Sequence, residues 1–506
     1  MSTTVPTTRG PVEIDATPER LRELLDAQRS AFLREGPPTA AVRRDRIDRL
    51  SLAVLEHADE LAEALMADFG NRPLRNSLGS DILGSLPDIE FVRTHLEEWM
   101  APRHIEGSDE RGLPTVVQTR PKGVVGVIGP WNFPVSLVVT PAVEALAAGN
   151  RVMIKVSEVP SRTADVLAQA VAERLDPEEV VVVRGGPATA AAFSDLQLDH
   201  LFFTGSPAVG RLVAAAAGRN LVPVTLELGG KNPVVVAPDA DLRVAAERIA
   251  AARLMNGGQV CLCPDWALVP RDRVDEFVDA YSSSVRTYFP DVARNPEYVS
   301  SIDDANFARV VGLIDDAVER GATAITIAPD DEMPVLPDAE SRRVPPTLLL
   351  GVTDEMRIAH EEVFGPVLTV HPYDGADEVV DAVNANPAPL AAYWYGDDSA
   401  QFRDFVERTT SGGLTRNDMA LHFGIEGTPF GGVGQSGMGA YHGRVGFDAM
   451  SHQRTITQSL LPVGVAPMSM PPVADDALES ARGQVRAALA ATRERLGGGV
   501  SDAGAR

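Results

Sequence analysis

The sequence predicts an α/β protein made of two doubly wound α/β domains, with a small β arm added. Three observations carry this. Short apolar strands alternate with helical stretches from residue 123 to about 218, and the alternation restarts after residue 229. At 506 residues the chain is too long for a single hydrophobic core. Its apolar content of 44% beside 23% charged residues is that of a soluble globular chain.

Taken in order, residues 1–16 carry no periodic pattern and read as a loosely held N-terminus. Residues 17–101 read as helices: Thr17 is a suitable cap, Pro18 a suitable first residue, and apolar residues recur at spacings of three and four. Pro87 interrupts the last of these helices. The stretch 102–122 is extended, with TVVQT alternating as in a strand. Strands follow at 123–128, 151–156, 180–184 and 200–205, separated by helices within 136–148 and at about 161–174, 188–194 and 208–218. Such alternation gives a parallel sheet, whose strands present ligands at their carboxyl ends. After 229, strands are expected at NPVVVA, WALVP, 322–328, 367–372 and 390–396, with helices at 241–255, 272–287, 304–320, 376–385 and 399–409. Residues 411–450 are glycine-rich with little periodicity, 453–461 is strand-like, and 474–496 is an amphipathic helix.

Charge and cysteine content exclude several classes. A net charge of −25 argues against a nucleic-acid partner, which needs a basic face. Two cysteines cannot make a disulfide scaffold or fill a zinc site, so no metal is expected. The N-terminus lacks a signal-peptide run and no stretch reaches the ~18 apolar residues of a membrane span, so a cytoplasmic protein without a membrane anchor is expected. Of 46 basic residues only Lys122, Lys155 and Lys231 are lysines. A lysine kept in so arginine-rich a chain suggests a need for a compact ammonium.

Both cysteines lie in NGGQVCLCP, residues 256–264. Cys261, after two glycines and before a proline, sits on a turn with room for approach, as a nucleophile requires; a small buried hydrophobe is the other reading. Glu227, between leucines and before Gly229-Gly230, suits a desolvated general base, or else an ion pair with Lys231. Asn132, in the doubly proline-fixed GPWNFP, suits an oxyanion donor or a turn residue. Lys155 closes a buried strand and Glu158 follows, a pair able to hold ribose hydroxyls or simply each other. Gly205 and Ser206 open the helix after a strand, where free N–H groups suit a pyrophosphate or an ordinary cap. The match to G-x-G-x-x-G at 432–437 lacks the flanking strand and helix, and is better read as a turn of close backbone approach.

Together the stretches PWNFP, KVSE, FTGSPAVG, LELGGKNP, NGGQVC, HEEVFGP and PFGGVGQSGMGAYHGRVGFDAMSH resemble the aldehyde dehydrogenase superfamily, over residues 20 to 465. ADFGNR, VTLELGGK and YHGRVGF look like its class-3 branch, with coniferyl aldehyde dehydrogenases nearest. The resemblance implies an NAD-binding domain over 17–111 and 123–228, with 420–452 packing back on it. It implies a catalytic domain over 229–419, an oligomerisation arm from 112–122 and 453–463, and a tail over 464–506. It makes Cys261 the nucleophile, Glu227 the activator of water, and Asn132 with the Cys261 N–H the oxyanion site. Lys155, Glu158, Gly205, Ser206, Glu362, Phe364 and Trp131 would hold the cofactor. Glu158 favours NAD, since a carboxylate repels a 2′-phosphate, although NADP is possible in this branch. Phe133, Phe423 and Phe430, with Trp266, would line a tunnel for an apolar or aromatic aldehyde.

The implied reaction passes through a cysteine thiohemiacetal and a thioester to the carboxylic acid, in a homodimer or dimer of dimers. A fatty or medium-chain aldehyde is the alternative substrate. A CoA-acylating dehydrogenase, a thiol esterase and a non-catalytic relative are alternatives of other kinds, against which Glu227, the ribose pair and the intact Cys261–Glu227–Asn132 set respectively weigh. Val156, Cys263 and Arg416 depart from the branch's usual residues. Cys263 reads either as packing or as a partner that traps an oxidised Cys261 in a disulfide.

Overall fold

A computed structural model describes residues 16–464, 466, 470–471 and 476–498. The expected loose N-terminus, residues 1–16, falls outside these except for Ala16.

The strands are β1 (Arg103–His104), β2 (Thr115–Pro121), β3 (Val124–Ile128), β4 (Arg151–Lys155), β5 (Val180–Val183), β6 (His200–Gly205) and β7 (Val224–Leu228), then β8 (Pro233–Val236), β9 (Trp266–Pro270), β10 (Thr323–Thr326), β11 (Thr347–Leu350) and β12 (Val367–Tyr373). β13 (Ala391–Tyr395), β14 (Gly413–Arg416), β15 (Gly437–Met438) and β16 (Ser451–Thr457) complete the set. The first large sheet has the order β15-β7-β6-β3-β4-β5, parallel except that β15 runs against β7. The second has the order β10-β11-β12-β9-β8-β13-β14, parallel except at β10–β11. The fold is therefore α/β with two wound parallel sheets. In the first, the chain moves outward from β3 to β5 and then returns to β6 on the other side of β3. Ligands of such sheets bind at that reversal, beyond the carboxyl ends.

Most elements lie where periodicity put them. Helix Ser161–Arg174 has the expected bounds, and helix Pro207–Arg219 is capped by Ser206 with Pro207 in its first turn. Pro87 stands in the first turn of helix Leu86–Met100, so it starts the helix rather than interrupting it. Before it lies a π-helical turn, Ser77–Ile82, that no sequence pattern announced. Strands β11, β14 and β15 and the helix Gly443–Ala449 were also not foreseen. Helix Ser136–Ala147 is buried continuously from Val138 to Ala147, Glu144 included.

By contacts, the chain forms one unit of residues up to Ala101 with Thr119–Gln453, which holds both large sheets, and a smaller unit of Pro102–Gln118 with residues from Arg454 on. The three-stranded sheet β1-β2-β16 leaves β16 on an edge, with Ile456 exposed. In the smaller unit, helix Ala477–Gly498 presents Leu478, Val485, Leu489 and Leu496 to solvent. Among the described residues no helix is long and apolar enough to cross a membrane.

Candidate active site

Strand register brings six sequence candidates, from the ends of four neighbouring strands, to the carboxyl rim of the first sheet. Ile128 pairs with both Lys155 and Phe203, and Thr204 pairs with Glu227. The carboxyl ends of β7, β6, β3 and β4 thus present, side by side, Glu227, Gly205-Ser206, the Trp131-Asn132 turn and Lys155. Lys155 is buried, donates to the Val156 carbonyl at 2.7 Å and lies 3.8 Å from Glu158, which is more exposed. A buried ammonium beside a carboxylate at a strand end fits a pair of ribose hydroxyls. The hydroxyl of Ser206 accepts from the Val209 N–H at 3.4 Å, so it caps a 13-residue helix; Pro207 carries no N–H, which leaves that of Ala208 as the other donor of the first turn.

The Cys261 turn is held from several sides. Asn256 and Gly257 adopt positive φ of 49° and 64°, which reverse the chain after helix Leu242–Leu254. Asn256 does so without a glycine's freedom, at a cost its packing must offset. The Asn132 amide donates to the Gln259 carbonyl at 3.1 Å, which ties the two loops together. An amide NH₂ carries two N–H groups, so a second remains for a ligand oxygen. Gln259 in turn bonds the Asn256 and Ser300 carbonyls at 2.8 and 3.1 Å and accepts from the Ile302 N–H at 2.9 Å. Cys261 itself is partly exposed and sits in a turn, as its flanking glycines indicated.

Two further braces were not found from sequence. Asn232, in LELGGKNP, donates to the carbonyls of Cys261 and Cys263 and accepts from the Ala391 N–H. Arg72, in ADFGNR, donates to the Asn132 carbonyl at 2.9 Å and lies 3.3 Å from Asp81, both residues buried. Asp81, delivered by the π-helical turn, accepts from the Val135 and Ser136 N–H groups at 3.1 and 2.8 Å. Both braces lie inside stretches the resemblance had quoted. Their burial was the missing signal.

Glu227 is 3% exposed, and neither carboxylate oxygen has a hydrogen-bond partner among the described residues. Burial, and then the charge of Glu144, hold its carboxyl well above the usual range. The suggested ion pair with Lys231 is not formed: Lys231 is bonded to Asp265 and to the Ile358 and Glu361 carbonyls. Burial also raises the Cys261 thiol above its ordinary range, with Glu362, Glu227 and Cys263 adding to it. Glu362 is pushed up to about 8, chiefly by burial and then by Asp265. Its carboxylate rests on Gly229, where a Cβ would lie 1.9 Å from Oε2. Phe364 has a positive φ of 47° and meets the Trp131 ring edge-on at 5.3 Å.

The aromatic candidates separate. Phe423 and Phe430 meet edge-on at 4.9 Å, and both lie against His442 at 5.0 and 5.6 Å. Phe133 lies instead beneath the Arg72 guanidinium, 5.0 Å from ring centre to carbon. Trp266 does not line this cluster. It begins β9, packs with Val235, Tyr373 and Trp394, and donates to the Lys231 carbonyl at 3.0 Å. Alternation along a strand decides the matter, because Trp266 takes the face covered by helices Ala376–Asn384 and Ala400–Arg408. Cys263 is buried and its thiol donates to the Ala252 carbonyl at 3.1 Å, as a packing residue would.

A profile of the aldehyde dehydrogenase family matches residues 10–456. A probable coniferyl aldehyde dehydrogenase of Caulobacter vibrioides is 43% identical over 93% of this chain and 98% of its own. A coniferyl aldehyde dehydrogenase of a Pseudomonas species is 41% identical over 89% of this chain and 93% of its own. Among solved structures, the substrate-bound AldH of Staphylococcus aureus is 30% identical with a TM-score of 0.83, covering 89% of this chain and 96% of that one. The P. syringae indole-3-acetaldehyde dehydrogenase AldA, in complex with NAD+ and IAA, is 27% identical with a TM-score of 0.79, covering 88% and 90%.

Proposed function

Because the chain belongs to the aldehyde dehydrogenase family and is an enzyme of that kind, we propose that Cys261 is its nucleophile, Glu227 its general base and Asn132 its oxyanion donor. The substrate is an aromatic aldehyde of coniferyl type, oxidised to the acid with NAD. The observation that carries this reading is Glu227: a buried carboxylate with neither oxygen hydrogen-bonded among the described residues, at the carboxyl end of β7, on the same rim of the sheet as the Asn132 turn that follows β3. Such a group is costly to keep and suits the removal of a proton from water.

Cys261 adds to the aldehyde carbon, and the oxygen takes up charge against the Asn132 amide and the Cys261 N–H. Each such donor is worth about 3 kcal/mol in the transition state. The nicotinamide supplies the hydride acceptor when bound. The resulting thioester stays on Cys261 until Glu227 draws a proton from water, which releases the acid. Lys155 and Glu158 hold the adenosine ribose, Gly205 and Ser206 the pyrophosphate, and Glu362, Phe364 and Trp131 the nicotinamide side. NADP is the weaker ligand, because Glu158 would face its 2′-phosphate.

Phe423, Phe430 and His442 give the pocket an aromatic wall suited to a ring, and two relatives above carry coniferyl aldehyde in their names. Phe133, beneath the Arg72 guanidinium, has no ring contact with this wall among the described residues. The exposed edge of β16 supports assembly as a homodimer or a dimer of dimers, since unpaired strand edges invite pairing. The cytoplasm is the fitting compartment for a thiol enzyme. Cys261→Ala is expected to abolish NADH formation while titrations still show NAD binding; turnover in that variant would remove Cys261 from its role. A panel of coniferyl, benzyl and fatty aldehydes should give the highest kcat/KM for coniferyl aldehyde. A preference for the fatty aldehydes would overturn the substrate class.

A further inference from the structure

Lys231 is one of three lysines among 46 basic residues. It stands in the four-residue crossing, 229–232, from β7 of the first sheet to β8 of the second. Two of its neighbours serve the site: Gly229 seats the Glu362 carboxylate, and Asn232 bonds the carbonyls of Cys261 and Cys263. The Lys231 side chain is 13% exposed. Its ammonium donates to Asp265, to the Ile358 carbonyl at 2.8 Å and to the Glu361 carbonyl at 3.2 Å. The three N–H bonds of one small centre thus meet three acceptors drawn from two loops.

Those loops are the ones that carry the thiol and Glu362. Asp265 closes the Cys261 turn, its own N–H donating to the Asn232 carbonyl at 2.8 Å. Its buried carboxylate accepts from the Val363 N–H at 3.0 Å and lies 3.5 Å from Arg253. Arg253 donates to the Gly258 and Pro264 carbonyls at 2.9 and 2.7 Å, on either side of Cys261, and also to that of Gly365. Arg309, from helix Asp304–Glu319, donates to the Glu362 and Val363 carbonyls at 3.1 and 2.8 Å. Phe364, in the midst of these bonds, keeps its positive φ of 47°, which a residue other than glycine holds only where its surroundings fix it. Charged side chains therefore grip the backbone on both sides of Glu362, and Lys231 grips the part that precedes it.

We propose that Lys231 is a positioning residue for hydride transfer: by joining the backbone before Glu362 to Asp265, it sets the carboxylate that would hold the nicotinamide ribose at a fixed place relative to Cys261. This rests on the reading of Glu362 as a residue of the nicotinamide side. Lys231 acts through Glu362 and takes no part in bond making. Buried charges give little net stability over apolar packing, so placement is what the cluster supplies. Shape matters as well as charge. An arginine would keep a charge beside Asp265, but it spreads its N–H bonds over a planar fork and does not reproduce three around a single atom.

The test compares Lys231→Met and Lys231→Arg with the wild type as full-length enzymes. Four quantities are measured: melting temperature, NAD affinity by titration, the single-turnover burst of NADH at saturating NAD with the best aldehyde of the panel, and acetylation of Cys261 by 4-nitrophenyl acetate without NAD, read by intact mass. In Lys231→Met, Asp265 keeps Arg253 and the Val363 N–H, so its charge is not stranded. The burst should slow about tenfold to a hundredfold, the cost of a misplaced reactant, and NAD should bind more weakly, while acetylation keeps its wild-type rate. Lys231→Arg should melt as the wild type does and still lose the fast burst, which keeps the test decisive if Lys231→Met folds poorly. A wild-type burst in either variant would overturn the proposal. So would burst and acetylation falling by the same factor, the mark of a general loosening of the site. Glu362→Ala separates this from the reading beneath it. Unchanged NAD affinity and burst there remove Glu362 from the cofactor, whereas a slowed Glu362→Ala beside a wild-type Lys231→Met removes only the role of Lys231.

Discussion

The Asn232 amide nitrogen bonds the carbonyl of Cys261 at 2.7 Å and that of Cys263 at 2.9 Å. One side chain thereby sets the curvature of the turn on which the thiol stands. Its Oδ1 accepts from the Ala391 N–H at 2.9 Å, which pins the turn to the edge of β13.

Asn232→Ala removes three hydrogen bonds and leaves buried carbonyls unpartnered. A loss of about 2–3 kcal/mol in stability is expected. Because the thiol is displaced rather than removed, acylation should slow while NAD binding is kept. Denaturant unfolding and single-turnover NADH formation measure the two effects; unchanged acylation would show that the turn holds its shape unaided.

Arg72→Leu leaves the buried Asp81 without its counter-charge, though still bonded to the Val135 and Ser136 N–H groups, and takes a donor from the Asn132 carbonyl. A loss of about 3–5 kcal/mol is expected, the range for breaking a buried ion pair. The double variant Arg72→Leu with Asp81→Leu should recover part of it, since no charge is then stranded. A double variant no more stable than the single one would show that support of the Asn132 turn outweighs the charge.

Glu362 gives a pH dependence of known sign. Its carboxyl is raised from the ordinary value of 4.5 to about 8 in the fold, so the folded state binds its proton more tightly than the unfolded chain does. Its contribution is full below about pH 4.5 and is lost as pH rises through about 8. Glu362→Gln should therefore flatten the fall in melting temperature between those values. A slope equal to that of the wild type would assign the dependence to other acids.

Much of this was legible in the chain. Continuous apolar runs with glycine or helical flanks marked β3, β4, β6 and β9, and Cys261 stood out because glycines and a proline surround it. Other features depended on distant partners. β15 is two residues long and exists through pairing with β7, about two hundred residues earlier. Glu144 is a lone acid in an otherwise apolar helical stretch, and its partner, the His442 N–H, comes from about three hundred residues away. Trp266 was misjudged because proximity in sequence to Cys261 does not say which face of β9 a side chain takes. β11 is a four-residue strand, a threonine and three leucines after two prolines, and periodicity cannot tell so short an apolar run from a piece of helix.

Glu362 and Glu144 each rest on a bare backbone, that of Gly229 and of Gly446. A single methyl at either glycine would stand under 2 Å from a carboxylate oxygen. Each carboxylate keeps its present seat only while its glycine stays bare: a side chain at 229 would push the end of Glu362 aside, and one at 446 the end of Glu144, although acid and glycine are far apart in the chain.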